Sequence, residues 1–359
     1  MGSLSSSVAN NSFQNVATSS KLTRPQTVWM WKSNVETEEW KRYSDVENRI
    51  IEQANQQNKN QVELDDLWID LKHEIQINKQ DSNKERPIKR VTNMSNEYVR
   101  EERFTCEQPI LNAKAFSNTS LFWFVSCKSF VYAAGLRNVK INDELVEKAA
   151  CGIEEEGAKV NKKKEAEWIA NELRKVKRRG EKEIGECCVK LYTMESFLYK
   201  LVNKVMREAQ IKGNGRKPEF VSERDTNYGR TLGPYCWILQ TYLRKSSHEK
   251  GTYVYRSANL TNEMIDDYKK HVGRSVSWNS FSSTTKNIAI TLNFGGNTLF
   301  KIHIPRRTAE SNVAISSLSE YPKEEEVLLA AAVEIVIKKV KYDKRINKHV
   351  IHLKLWGKD

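Results

Sequence analysis

Residues 327–337, VLLAAAVEIVI, form an apolar run rich in strand-forming residues, and three consecutive glutamates stand directly before it in YPKEEEVLL. The apolar run reads as a buried strand. A polar, turn-like run, SSLSEYPK, precedes the glutamates. If the strand starts at the glutamates, Glu324 and Glu326 point to one face and Glu325 to the other. Two strand rises put the Cα atoms of Glu324 and Glu326 about 6–7 Å apart. Two carboxylates at such a place can divide labour: one stabilises a developing positive charge and the other accepts a proton. An oxocarbenium-like transition state needs such a pair, as glycoside hydrolysis shows. The plainer alternative is a charged loop leading into a strand.

The chain has 359 residues, enough for two or three domains, and a formal net charge of +13. Its run LFWFVSCKSFVYAAG (121–135) is too short for a membrane span and carries Lys128. The first residues lack a secretory pattern, so an intracellular location, cytoplasmic or nuclear, is expected. MGSLSS places Gly2 and Ser6 in an N-myristoylation pattern, so membrane association is expected only if Gly2 is acylated. The six cysteines show no metal spacing and read as reduced thiols, so no metal is expected. Within 159–182 there are ten Lys/Arg against four Glu, with Trp168, Ile169 and Leu173 at helical spacing. This reads as an amphipathic helix with a solvated basic face; a nucleic-acid partner is the less favoured reading.

Four segments follow from composition. Residues 1–20 are a Ser/Asn-rich leader expected to be disordered. Residues 21–92 form a compact block: the strand VWMWK, a hairpin partner EEWKRY, the helix SDVENRIIEQANQQ, and the strand pieces QVELDDLWIDL and EIQINKQ. Ile75 and Ile77 alternate with Gln76 and Asn78, the period of a half-buried strand. Residues 93–141 have no period and are taken as linker and lead-in. Residues 142–359 begin with helices, among them the stripe Phe197, Leu198, Leu201, Val202 and Val205. A loop (213–234) and the helix YCWILQTYLRK then lead into TYVYRSA, SWNSFSSTT, TLFKIHIP, NVAISSL, EVLLAAAVEIVIKKV and KHVIHLKLW as strands. Helices first and strands later predict an α+β domain.

Arg256 ends an apolar strand face with Val254, where an arginine needs an anionic partner such as a pyrophosphate or a site-organising carboxylate; the alternative is a surface ladder arginine. The hydroxyls of Ser283, Thr284 and Thr285 stand where a strand meets the short helix KNIAITLNF, as a helix cap or as ligand-orienting groups. Together, Arg256 on a first strand, F-x-S-x-T on a second and E-x-E-V-L after a polar loop resemble the R-S-E class of ADP-ribosyltransferases, in its arginine-specific, ecto-enzyme-like branch. The resemblance covers about 142–359, including LYTMESFLYKLVNKVMRE and GPYCWILQTYLR, and implies a helical lobe and a split mixed β-sheet core.

That resemblance implies NAD as substrate, with Arg256 gripping its phosphates. Ser283 would hydrogen-bond the catalytic glutamate, and Phe294 would pack on the nicotinamide. Glu326 would bind the nicotinamide ribose and stabilise the oxocarbenium ion, and Glu324 would activate an arginine acceptor on a target protein. Tyr321 lies in the loop expected to contact the target. Ser257 stands where the family usually has glycine, and Thr285 where it usually has serine. The polymerase class has His-Gly at the place of Arg256-Ser257, so one ADP-ribose per site is expected.

The N-terminal W-x-W, the next Trp and Tyr43, the helix, and the strand with Gln76 running to RPIKR resemble a WWE domain over about 20–92. The resemblance implies binding of ADP-ribose units of poly(ADP-ribose) or of ADP-ribosylated proteins, or else of a partner protein. Trp31 would stack on adenine, Gln76 would bind its edge, and Arg86 the phosphates, with Lys89 or Arg90 adding charge. Leu67 stands where some members have tyrosine, and Trp29 and Trp40 are expected in the core. The expectation is an arginine-directed mono-ADP-ribosyltransferase with a reader domain. The alternatives are an NAD glycohydrolase and a non-catalytic ADP-ribose or nucleic-acid adaptor.

Overall fold

The computed structural model describes residues 26–34, 38–94, 100, 103, 105–106, 116, 140–209, 211–214, 217–220, 222–293, 295–310, 312–319 and 321–359. The leader with Gly2, most of the 93–141 linker, and Phe294 lie outside the described residues.

The N-terminal unit is one antiparallel sheet with a helix across it. Strands β1 (Gln26–Lys32), β2 (Trp40–Arg42), β3 (Gln61–Glu63), β4 (Leu67–Asp70), β5 (Ile75–Asn78) and β6 (Glu85–Met94) stand in the order β2-β1-β6-β5-β4-β3. Helix α1 (Asp45–Gln56) starts at Ser44 with a reciprocal cap: Glu47 N–H donates to Ser44 Oγ (3.2 Å), and Ser44 N–H donates to Glu47 Oε2 (3.0 Å). Trp29, Tyr43, Ile51, Leu64, Ile69 and Ile88 form the core between helix and sheet. Trp40, expected in that core, is instead partly exposed and lies under Lys89, whose Nζ is 3.9 Å from the ring centroid. The polar face of β2 leaves it there; the one-residue alternation sends Trp40 to the side away from α1.

The C-terminal part starts with β7 (Thr105–Cys106) and continues through α2 (Asp143–Lys159), α3 (Lys163–Lys175), α4 (Glu181–Thr193) and α5 (Phe197–Glu208). The α3 stripe is as expected: Ile169 and Leu173 are fully buried and Trp168 partly so. Its basic groups are mostly paired, Arg174 with Glu147 and Glu154, and Lys164 with Glu63. The segment 213–234, expected as a loop, instead holds part of the hairpin β8 (Ile211–Asn214) and β9 (Lys217–Phe220) and the first half of α6 (Glu223–Lys245). Ser222 caps α6 by accepting from Asp225 N–H (3.1 Å), with Glu223 and Asp225 at the positive helix end. Packing carries the helix past Pro234: α6 is held against α2 so closely that a Cβ on Gly152 would meet the Thr231 carbonyl at 1.9 Å.

After α6 come β10 (Thr252–Ala258), α7 (Asn262–Lys270), β11 (Ser275–Trp278), β12 (Ser282–Thr285), α8 (Ile288–Asn293), β13 (Thr298–Ile304), β14 (Arg307–Thr308) and β15 (Asn312–Ala314). A 3₁₀ turn (Pro322–Glu324), β16 (Glu326–Leu329), β17 (Val333–Asp343), β18 (Lys348–Leu355) and β19 (Gly357–Lys358) complete the chain. The large sheet runs β11-β17-β18-β13-β10-β12-β16-β15, with β7 pairing β10 in parallel and β14 pairing β19 separately. It is mixed, since β13 and β18 are parallel. It is also split, because β10 and β12 meet only at Tyr255 and Thr285. SWNSFSSTT, read as one strand, supplies β11 and β12 at separate places in this sheet. EVLLAAAVEIVIKKV likewise breaks into β16 and β17, at a turn where Ala332 has φ +61°. Buried Gln240 of α6 satisfies that turn: it accepts from Ala331 N–H (3.1 Å) and donates to the Ala331 carbonyl (3.3 Å).

The two parts touch along α1 and the turn between β3 and β4. Asp65 accepts the N–H groups of Lys164 (2.7 Å) and Glu165 (3.3 Å) at the start of α3, and Trp168 Nε1–H donates to Gln53 (3.0 Å). At the start of α1, Asp45 accepts from Glu195 N–H (2.7 Å) and from the Tyr321 hydroxyl.

Candidate active site

The split in the large sheet gathers the predicted residues. Arg256 lies on β10, Ser283 on β12 opposite Leu328, and Glu326 opens β16 opposite Thr285. Glu324 and Glu326 are both 0% exposed, whereas Glu325 is exposed. The separation of faces is the one expected, but it has another cause. Glu324 ends the 3₁₀ turn and Glu325 sits at φ 46°, ψ 42°, so a left-handed residue, not strand alternation, brings the outer carboxylates together. Thr285 fixes this turn by donating its hydroxyl to the Glu324 carbonyl (2.7 Å), and Thr284 donates to the Val327 carbonyl (2.6 Å). The hydroxyl of buried Ser257 donates to the Gly295 carbonyl (2.8 Å), which ties β10 to the loop entering β13.

Two arginines that the sequence did not single out occupy these carboxylates. Arg100 donates to Glu324 from its backbone N–H (3.0 Å), Nε (3.0 Å) and Nη2 (2.6 Å). Arg103 donates to Glu326 Oε1 from Nε (3.1 Å) and Nη2 (2.9 Å). Both guanidinium groups also cap the C-terminal end of α4, Arg100 on the Thr193 carbonyl and Arg103 on the Tyr192 carbonyl (3.0 Å). Those carbonyls lack partners within the helix and carry the negative end of its dipole. Arg100 lies 3.9 Å from the Tyr321 ring centroid, and Arg103 lies 4.6 and 4.8 Å from the rings of Tyr192 and Tyr199.

Arg256 Nη1 donates to the Ser283 carbonyl (2.7 Å) and, more weakly, to the Arg103 carbonyl (3.3 Å). Ser283 therefore meets Arg256 through its backbone. The bond expected from Ser283 to the catalytic glutamate is not made, because Glu326 Oε2 is buried with no hydrogen-bond partner and Oε1 is taken by Arg103. Burial, reinforced by neighbouring Glu326, lifts the Glu324 carboxyl above its usual range against the pull of Arg100. Arg100 is held above its ordinary value: burial pulls it down, but Glu324, with Asp45 and Tyr321, outweighs burial. Among the described residues no His/Cys/Asp/Glu group has the form of a metal site.

In the N-terminal unit the register places Trp31, Ile88, Gln76 and Arg86 on the face that carries α1. Gln76 is 7% exposed and accepts the Tyr43 hydroxyl (2.5 Å); Trp31 and Arg86 are partly exposed. Lys89 lies on the opposite face, and Arg90 is held by Glu52 (2.8 and 3.0 Å), so neither adds charge beside Arg86.

The fold is that of an ADP-ribosyltransferase domain joined to a small sheet-and-helix module. Residues 27–90 match the family model of the WWE domain, and residues 189–356 match that of the ADP-ribosyltransferase exoenzyme. The chain thus carries a WWE domain followed by an ADP-ribosyltransferase exoenzyme domain. Similar solved structures include the ADP-ribosyltransferase HopU1 of Pseudomonas syringae pv. tomato DC3000, with 21% identity over 64% of this chain and 96% of that one, at TM-score 0.39. The type III effector XopAI of Xanthomonas axonopodis pv. citri has 12% identity over 64% and 95%, at TM-score 0.42. C3stau2 of S. aureus, solved with NAD, has 18% identity over 48% and 87%, at TM-score 0.33. No curated protein matches the chain.

Proposed function

We propose that the C-terminal domain is an R-S-E class mono-ADP-ribosyltransferase that modifies arginine side chains of proteins. The observation that carries this reading is the fit of a guanidinium to Glu324, which takes Arg100 through Nε and Nη2 on its two oxygens. In the reaction, Glu326 engages the nicotinamide ribose, and Arg256 holds the phosphates. The C1′–N bond of NAD breaks, nicotinamide leaves with the electron pair, and Glu326 stabilises the oxocarbenium ion. A guanidinium nitrogen then attacks C1′, and its proton passes to Glu324. The raised Glu324 carboxyl makes it a stronger base for a group that otherwise keeps its proton. We further propose that the WWE domain binds ADP-ribose units, with Trp31 on the adenine and Gln76 and Arg86 on its edge and phosphates. NAD-dependent nicotinamide release with agmatine, followed by mapping of modified residues in protein targets, tests the transferase. Modification on aspartate or glutamate in place of arginine overturns the acceptor.

A further inference from the structure

Both carboxylates that the proposed mechanism uses are already engaged, and by one short stretch of this same chain. Arg103 N–H donates to the Arg100 carbonyl (3.3 Å), and both guanidinium groups reach the cleft. Two residues further on, Thr105 and Cys106 pair with Ser257 and Ala258, adding β7 to β10 beside Arg256. The stretch is therefore tethered at the sheet and inserted at the carboxylates. Arg100 and Arg103 are 3% and 2% exposed.

We propose that Arg100 and Arg103 form a pseudosubstrate that closes the active site: Arg100 sits as the acceptor arginine and Arg103 takes the place of the nicotinamide ribose of NAD. The proposal rests on the assignment of Glu324 to the acceptor and Glu326 to NAD. A guanidinium on Glu324 that also lies against an aromatic ring is what an arginine acceptor would present. A second delocalised cation on Glu326 occupies the position where the oxocarbenium charge develops. Glu326 Oε1 cannot serve NAD while it accepts two bonds from Arg103, and one donor of Arg256 points at the Arg103 carbonyl. NAD and the Arg103 side chain exclude each other, as do the protein acceptor and Arg100. The WWE domain latches the arrangement, because Tyr321, whose ring covers Arg100, donates its hydroxyl to Asp45 of α1.

The test is NAD binding by calorimetry to the full-length protein and to Arg103→Ala. A closed state populated about ten to one over the open one weakens apparent affinity about tenfold, so R103A should bind NAD at least about tenfold more tightly, with KM for NAD falling and kcat little changed. Equal or weaker binding by R103A overturns the proposal, since it would make Arg103 a fixed part of the site. A synthetic peptide of residues 98–105 should compete with NAD on R103A, and the same peptide with both arginines replaced by alanine should not; equal competition by the two overturns it as well. If R103A does not fold, the wild-type protein gives the answer through arginine-directed phenylglyoxal labelling and peptide mapping. Saturating NAD should raise labelling at both arginines several-fold, and unchanged labelling overturns the proposal. Tighter NAD binding by R103A without any transfer to agmatine removes the arginine-acceptor reading but leaves the closed state standing.

Discussion

In the catalytic domain Glu324 and Glu326 are fully buried, each with a guanidinium on it, whereas the candidate groove of the WWE domain has Trp31 and Arg86 partly exposed and buries only Gln76. The difference follows from charge. A neutral amide can be satisfied inside a core by a single hydroxyl, as Tyr43 does for Gln76. Two carboxylates in a dry cleft need cations, and removing one partner of such a buried pair costs about 3–5 kcal/mol. The WWE face needs no such exchange. The carboxylate site must exchange one cation for another, which makes it suited to control.

The largest expected effect is at the centre of that exchange. Glu326→Gln keeps the shape but removes the charge that stabilises the ribosyl cation, and nicotinamide release should fall about 10²–10³-fold. A loss under threefold would move the catalytic role elsewhere. Glu324→Gln should separate the two carboxylates functionally. Transfer to agmatine should fall about 10²-fold, as for loss of a general base, while slow hydrolysis of NAD persists. Parallel loss of both activities would show that Glu324 serves NAD as well.

The WWE side of the comparison should respond more weakly. Arg86→Ala removes a charged donor from a partly exposed position, so affinity for iso-ADP-ribose should fall about tenfold. Transfer to agmatine should stay within twofold of wild type, because Arg86 touches none of the catalytic residues. Unchanged iso-ADP-ribose affinity would leave the module as the clamp on α3 and Tyr321 and nothing more.

Much of this layout is legible in the chain. Ser44 and Glu47 announce α1, the Ile75 and Ile77 alternation marks β5, and the strand-borne Arg256, Ser283 and Glu326 do converge. Other parts were readable but easily missed: Ser222 with Glu223 and Asp225 is a helix start that Gly229, Gly233 and Pro234 conceal. The turn at Glu325 is harder, because glutamate seldom adopts positive φ, and the strand period gave the right faces for another reason. Arg100 and Arg103 carried no signal at all. Two arginines in a segment without periodicity acquire meaning only from carboxylates more than 220 positions away, a pairing that local pattern does not encode.

The smallest expected effect falls on the seam between the two regions and concerns stability. Glu165, at the start of α3 beside Asp65 of the WWE domain, is 2% exposed and accepts Phe197 N–H (2.8 Å). Burial pushes its carboxyl up to about 7, with Lys162 opposing and Glu47 and Asp65 adding to the rise. The folded state therefore holds this proton more tightly than the unfolded chain. The stabilisation is complete below the unfolded value near 4.5 and disappears as pH rises to about 7. Glu165→Gln keeps an acceptor for Phe197 N–H and removes the titration. Denaturant melts of wild type and E165Q should diverge between pH 5 and pH 7, with wild type losing about 1 kcal/mol relative to the variant once relaxation at the seam is allowed for. Parallel pH profiles would mean that Glu165 is ionised throughout, with Lys162 as its counter-ion, and that the seam between the two regions is insensitive to pH in this range.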